Sequence, residues 1–322
     1  MNKMNKIKIL ANDGIAKSGL DALNKKGFEV ITDKVIQEEL IDFINKNSIV
    51  GLLVRSATFV RKDIIDNCTD LKLIGRGGVG MDNIDVDYAR KKGLHVINTP
   101  SASSASVAEL VFAHLFGMVR FLFDSNRNMP LEGDTRFKEL KKSYGAGIEL
   151  RGKKIGIIGF GRIGKEVAKI ALGLGMEVLA HDPSADNALI KLDFFNGQKI
   201  DFHIPIISIQ ELYKKSEFIT VHVPFQGKPL ITKKEIDLMK DQVGLINASR
   251  GGVINEKDLI DALNSGKVKF AGLDVFENEP SPSMKVLMSD RVSLSPHIGA
   301  ATLEAQDRIG DELADQIFTL LK

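Results

Sequence analysis

Short apolar runs rich in β-branched residues alternate with segments of helical period along the first hundred residues. Ile7–Leu10, Phe28–Ile31, Ile49–Val54, Leu71–Ile74 and His95–Asn98 carry the strand pattern. Between them, Lys17–Lys26, Gln37–Asn47, Lys62–Asn67 and Val86–Lys92 place apolar residues at helical spacing. This alternation predicts a parallel sheet with helices on both faces. At Asn98-Thr99-Pro100 the pattern breaks. Ser101–Ser106 then offers several helix caps, and Val107, Leu110, Val111, Leu115 and Met118 follow on one helical face.

Residues 128–150 are polar, contain Gly133, Gly145 and Gly147, and read as loop. A second strand–helix series starts at Lys154, with strands at Ile155–Gly159, Glu177–His181, Phe218–His222, Gly244–Asn247, Phe270–Leu273 and Val292–Ser295. Leu192–Ile207 does not fit a crossover helix. Its apolar residues alternate around Asn196-Gly197, which predicts a β-hairpin. One amphipathic helix, Leu303–Leu321, follows Pro296 and is expected to return to the first domain. The organisation is therefore discontinuous: residues 1–99 and 296–322 form one domain, and 100–295 form the other.

Composition narrows the function classes. The 322 residues are 43% hydrophobic, enough for two cores, and the net charge of +2 argues against a nucleic-acid groove or a polybasic membrane surface. Cys68 is the single cysteine, which excludes an intramolecular disulfide framework and a cysteine-based zinc site and suits the cytoplasm. The apolar stretch Leu110–Val119 is too short to span a bilayer. No His, Asp and Glu set has metalloenzyme spacing, so no metal is expected.

Gly159-Phe160-Gly161-Arg162-Ile163-Gly164 follows a strand and opens a helix. In that context Gly159 serves the tight turn, Gly161 admits a pyrophosphate, and Gly164 permits close helix–strand packing. Asp182 ends the next strand, 18 residues past Gly164. A carboxylate there accepts the ribose hydroxyls and repels a 2′-phosphate, so the expected cofactor is NAD rather than NADP. The fold expected is α/β throughout: two doubly wound parallel-sheet domains, a Rossmann-type NAD domain inserted into a flavodoxin-like substrate domain.

Arg250, Glu279 and His297 each lie just past a predicted strand of the second domain. Ligands of open α/β sheets bind beyond those carboxyl ends. His moves protons near neutral pH, a carboxylate on its other nitrogen fixes its tautomer, and a guanidinium clamps a carboxylate at two points.

With these residues in place, the chain resembles the D-isomer-specific 2-hydroxyacid dehydrogenases over nearly its whole length. The landmarks are Gly159–Gly164 with Asp182, Val221-His222-Val223-Pro224, Asn247–Gly252, Asp274–Pro280 and Pro296-His297-Ile298-Gly299-Ala300. Val54-Arg55-Ser56-Ala57-Thr58, Gly75–Gly80 and Met81–Asp85 resemble the family's phosphoglycerate dehydrogenase branch most. The resemblance implies His297 as acid/base, Glu279 as its partner and Arg250 as the clamp on substrate. It implies NAD contacts from Val79, Arg162, Ile163, Asp182, Val223, Pro224, Ala248, Ser249, Asp274, Gly299 and Ala300, with Asp274 near the nicotinamide amide. It places the substrate carboxylate on the loop Gly77, Gly78 and Val79, with Arg55 and Arg76 facing a substrate phosphate. It implies a homodimer, with the arm around residues 128–150 as the dimer segment and Lys141 and Lys142 nearby. Since the sequence stops one helix after the last motif, serine feedback through an added domain is not expected.

The activity so implied is NAD-dependent oxidation of 3-phospho-D-glycerate. Oxidation or reduction of another D-2-hydroxy acid and a non-enzymatic NAD-sensing protein are the alternatives. Among the other histidines, His222 is expected to shape the cofactor edge, His114 to pack, and His181 to meet solvent.

Overall fold

The computed structural model describes residues 6–185 and 187–322. The chain divides into two compact units, Met1–Ser104 with Ala300–Lys322, and Ala105–Gly299. The divisions fall a few residues later than 99 and 295. Thr99 donates its N–H to the Gly78 carbonyl at 3.1 Å, and the Ala102 carbonyl accepts from Arg308 Nε at 2.9 Å, which keeps residues 99–102 in the first unit. Residues 297–299 are held in the second unit by Asp274, as described below.

The first unit is one parallel sheet of β1 (Lys8–Ala11), β2 (Glu29–Ile31), β3 (Ile49–Val54), β4 (Leu73–Arg76) and β5 (His95–Asn98), in the order β2-β1-β3-β4-β5. That is the flavodoxin-like order. Its crossovers are α1 (Lys17–Lys25), α2 (Leu40–Asn47), α3 (Lys62–Asn67) and α4 (Val86–Lys91). Successive strand residues serve opposite layers. Ile9, Leu53, Leu73 and Ile97 join one core, and Leu10, Leu52, Ile74 and Val96 the other. Burial on both faces is why these strands read as continuous apolar runs. The last helix of the chain, Leu303–Leu321, lies in this unit and buries Ile309, Leu313 and Ile317 against the first core. It meets α1 at two glycines: a Cβ on Gly19 would sit 2.5 Å from Gly310 Cα.

In the second unit, α5 (Ser104–Val119) leads through α6 (Leu122–Glu132) and α7 (Phe137–Ser143) to a six-stranded parallel sheet. Its strands are β6 (Lys154–Ile158), β7 (Glu177–His181), β10 (Phe218–Val221), β11 (Val243–Asn247), β12 (Val268–Leu273) and β13 (Val292–Leu294), in the order β13-β12-β11-β10-β6-β7. Its other helices are α8 (Arg162–Gly173), α9 (Ile209–Lys215), α10 (Lys233–Leu238), α11 (Glu256–Ser265) and α12 (Met284–Leu287); the last helix of the first unit is α13. A Rossmann sheet runs 3-2-1-4-5-6. Here the strand expected beyond β7 is reduced to one parallel bridge between Ala180 and Ile206. The chain before it forms the antiparallel hairpin β8 (Asn187–Asp193) and β9 (Lys199–Pro205). The hairpin expected around Asn196-Gly197 is present, with Ala188, Ile190 and Ile204 turned inward and Leu189 and Ile200 exposed.

The segment read as loop from residue 128 is largely helical. Arg136 pairs with both Glu132 and Glu139. The Tyr144 hydroxyl accepts from Asn128 Nδ2 at 2.7 Å and donates to Asp124 Oδ2 at 2.9 Å. Leu122, Met129, Leu131 and Phe137 are exposed, so no buried helical stripe marks these helices in the sequence. No single helix among the described residues is long and apolar enough to cross a membrane.

Candidate active site

The three glycines after β6 have three different surroundings. Gly159 has φ +89, and a Cβ there would lie 2.5 Å from the His222 carbonyl oxygen. A Cβ on Gly164 would lie 2.3 Å from the Gly159 oxygen, whereas one on Gly161 would meet nothing within 4 Å. Gly161 thus leaves open space at the start of α8, where Arg162, Ile163 and Gly164 present N–H groups to an anion. Asp182 sits beside this loop. Its Oδ2 accepts the Phe160 N–H and its Oδ1 the Ser184 N–H, both at 2.9 Å. A carboxylate has about four acceptor positions, so ribose hydroxyls can still be received. Glycines and carboxylate together fit a dinucleotide without a 2′-phosphate.

Val223 and Pro224 follow β10, and Ala248, Ser249 and Arg250 follow β11. Asn247 shapes that second turn: its Oδ1 accepts the Ser249 N–H at 3.0 Å, and its Nδ2 donates to the Arg250 carbonyl at 2.8 Å. Gly251 lets this loop touch the next one, since a Cβ there would be 1.8 Å from the Phe276 oxygen. Glu279 lies on that neighbouring loop. Its Oε1 accepts the Phe276 N–H at 2.9 Å, and its Oε2 is 2.7 Å from His297 Nδ1. Burial raises the Glu279 pKa, but the hydrogen bonds from His297 and Phe276 and the charges of His297 and Arg250 outweigh it, and the net shift is downward. An ionised Glu279 only accepts, so Nδ1 of His297 carries a hydrogen, which leaves Nε2 as the nitrogen that gains or loses a proton.

His297 has φ +55, a left-handed conformation unusual for a residue other than glycine. Asp274 holds it there. The Asp274 carbonyl accepts the His297 N–H at 2.8 Å, and its carboxylate accepts the Ile298 and Gly299 N–H groups, each at 2.8 Å. Asp274, expected beside the nicotinamide amide, is 1% exposed, and Ser295 Oγ also donates to it at 2.6 Å. Arg250, Glu279 and His297 therefore stand at the carboxyl edge of the second sheet, on three loops that contact or brace one another.

The first unit carries its own set at the carboxyl edge of its sheet. Arg55 follows β3 and packs its Cγ near Gly77, while Arg76 ends β4 and lays its guanidinium over Gly78. A Cβ on Gly78, at φ +147, would be 1.7 Å from Arg76 Nη1. Val79 is exposed, and its carbonyl accepts from Asn98 Nδ2 at 2.6 Å. The Ala300 carbonyl accepts from Gln306 Nε2 at 2.6 Å at the head of α13.

Several supporting residues were not singled out by the sequence reading. Asp13 accepts the Arg55 N–H at 2.6 Å, the Thr58 N–H at 3.1 Å and the Thr58 hydroxyl at 2.7 Å. Asn83 donates to the Arg55 and Thr58 carbonyls at 2.8 and 2.6 Å. The Met81–Asp85 motif was the available signal for Asn83; nothing in spacing marks Asp13. The histidines also differ from expectation. His181 Nδ1 is 2.9 Å from the Ile207 carbonyl rather than left to solvent. His114 is hydrogen-bonded through both ring nitrogens rather than merely packed. His222 lies beside the glycine turn, hydrogen-bonded to Thr220 Oγ1 at 3.0 Å, and burial pushes its pKa down to about 3.

Residues 112–299 match the family profile described as D-isomer specific 2-hydroxyacid dehydrogenase, NAD binding domain. A hydroxypyruvate reductase of Thermotoga maritima is 40% identical over 321 residues, 98% of each chain. A D-3-phosphoglycerate dehydrogenase of Methanocaldococcus jannaschii is 38% identical over 318 residues, 98% of this chain and 58% of that one. This chain thus spans a little over half of that relative's length. The crystal structure of a glyoxylate reductase from Paecilomyes thermophila is similar at a TM-score of 0.80 and 27% identity, covering 98% of this chain and 95% of that one. With the glycine turn, Asp182 and the profile in agreement, the chain belongs to the D-isomer specific 2-hydroxyacid dehydrogenase family and is an oxidoreductase that uses NAD.

Proposed function

We propose that the protein oxidises 3-phospho-D-glycerate to 3-phosphohydroxypyruvate, the first step of serine biosynthesis. When bound, NAD supplies the hydride acceptor. His297 Nε2 takes the C2 hydroxyl proton as the carbonyl forms, and Glu279 holds the resulting imidazolium through Nδ1. Arg250 clamps the substrate carboxylate and stabilises charge on the C2 oxygen. The 2.7 Å Glu279–His297 pair is the observation that carries this chemistry. General acid–base catalysis contributes about 10²–10⁴-fold, so His297→Ala is expected to lower kcat by at least about a hundredfold while NADH still binds. Unchanged turnover in that variant overturns the assignment.

The phosphate is the finer part of the proposal. Arg55 and Arg76, packed along the Gly77–Gly78 loop of the first unit, support an anion there beyond the substrate carboxylate. A second reading is reduction of hydroxypyruvate without phosphate, favoured by the relative of that name that this chain matches over 98% of both lengths. Rates with 3-phospho-D-glycerate and D-glycerate under saturating NAD separate the two. A cytoplasmic homodimer completes the proposal. The exposed apolar side chains of Phe116, Leu122, Met129, Leu131 and Phe137 support a second copy as partner, and sedimentation measures it.

A further inference from the structure

Beneath His297 runs a buried polar chain that the proposed reaction does not use. His114 stands in the middle of α5, 5% exposed among apolar neighbours. Its Nδ1 is 2.8 Å from Ser293 Oγ and its Nε2 is 2.9 Å from Ser295 Oγ. Ser295 Oγ is in turn 2.6 Å from Asp274 Oδ1. Counting protons fixes every donor. Asp274 receives two backbone N–H groups and accepts, so the single Ser295 hydrogen points to it. Ser295 Oγ can then only accept from His114, so Nε2 carries the ring hydrogen. In a neutral ring Nδ1 is left to accept from Ser293. Three hydrogen bonds point one way, from Ser293 through His114 and Ser295 to Asp274. Burial lowers the His114 pKa against the opposing pull of Asp274, which agrees with a neutral ring.

The same helix face braces the turn a second time. Ser106 lies two helical turns before His114 and donates to the Gly299 carbonyl at 2.6 Å. β12 is cleared for this approach: a Cβ on Gly272 would be 2.9 Å from His114 Cβ. A leucine at position 114 would fill such a core equally well, so packing alone does not account for two oriented ring nitrogens.

We propose that His114 is a positioning residue, which orients the Asp274 carboxylate through Ser295 and thereby fixes the left-handed turn that aims His297. The inference rests on His297 being the proton acceptor. The test uses the full chain, whichever of 3-phospho-D-glycerate with NAD or hydroxypyruvate with NADH turns over faster, and NADH binding by fluorescence. His114→Leu is expected to lower kcat about 10- to 100-fold, the cost of a small misalignment, and to raise the NADH dissociation constant by a smaller factor. His114→Gln retains an N–H donor near the Nε2 position and is expected to recover most of the lost kcat. Ser295→Ala should match His114→Leu, and the double variant should be no worse than either. Parental kcat in His114→Leu, or His114→Gln falling as far as His114→Leu, overturns the proposal. If His114→Leu does not fold, parental kcat in Ser295→Ala overturns it instead. His297→Asn run in parallel keeps the two readings apart. Its full activity removes the catalytic assignment, whereas its inactivity beside an unaffected His114→Leu removes only this inference.

Discussion

Each unit organises its functional loop around one carboxylate just past a strand, and the two carboxylates differ in burial. In the second unit Asp274 is 1% exposed and binds three successive residues of the His297 turn. In the first unit Asp13 is only partly buried and closes the turn from Arg55 to Thr58 through three donors. A buried acceptor fixes geometry because its donors have no water to turn to. A partly exposed one shapes a loop that can still adjust. Under the proposed function, the second arrangement would serve proton transfer, where small displacements are costly, and the first a loop that receives a charged substrate.

The largest expected effect tests that contrast directly. Asp274→Ala should cost roughly 3 kcal/mol of stability, since it strands buried donors, while Asp13→Ala should cost about 1 kcal/mol. Denaturant melts of both variants measure the difference, and equal losses would remove it. Next, Arg55→Ala is expected to raise KM for 3-phospho-D-glycerate about 10- to 100-fold, the worth of one hydrogen bond to a charged group. KM for D-glycerate should change little; equal losses on both would reject a phosphate role for Arg55.

A smaller effect is pH-dependent and belongs to the second unit. Burial depresses the folded pKa of His222 from 6.5 to about 3 and also lowers that of His114. Below the unfolded value, the unfolded chain binds protons that the fold refuses. Stability therefore falls as pH drops, by about 1.4 kcal/mol per pH unit for His222, and His114 adds to the fall in the same direction. Glu279 acts in the same direction, because its lowered pKa gives stability that is lost as pH falls through the folded value. Melting temperatures should decline from about pH 7 to about pH 4, and His222→Asn should flatten the decline. The smallest stability effect is at Gly161. With no atom within 4 Å of a Cβ there, Gly161→Ala should cost under about 1 kcal/mol, yet weaken NADH binding measurably.

The strands of both sheets were legible because burial on two faces leaves unbroken apolar runs, and the hairpin because one buried face imposes a period of two. Gly159, Gly161, Gly164 and Asp182 were legible because a phosphate-binding turn tolerates few residue types at fixed spacing. The helices α6 and α7 were not, since Leu122, Met129, Leu131 and Phe137 are exposed and break the buried stripe, and Pro130 interrupts the pattern. The relay from Ser293 to Asp274 was invisible for another reason. His114 lies 179 residues from Ser293 and 181 from Ser295, so only the folded packing of α5 against β12 brings them together. Asp13 was missed likewise, because its partners are 42 and 45 residues away.

The contact of Gly19 with Gly310 sets a timetable for the growing polypeptide. The inserted unit has all of its strands once residue 299 has left the ribosome and can close while synthesis continues. The first unit cannot. Its five strands and α1 emerge early, but the apolar layer formed by Ile9, Leu53 and Leu73, with Leu23 of α1 against it, lacks Ile309, Leu313 and Ile317 until α13 is made. Until then that layer is sticky surface on a nascent chain, and a truncation that removes α13 should make the early-made unit, rather than the late one, the seed of aggregation.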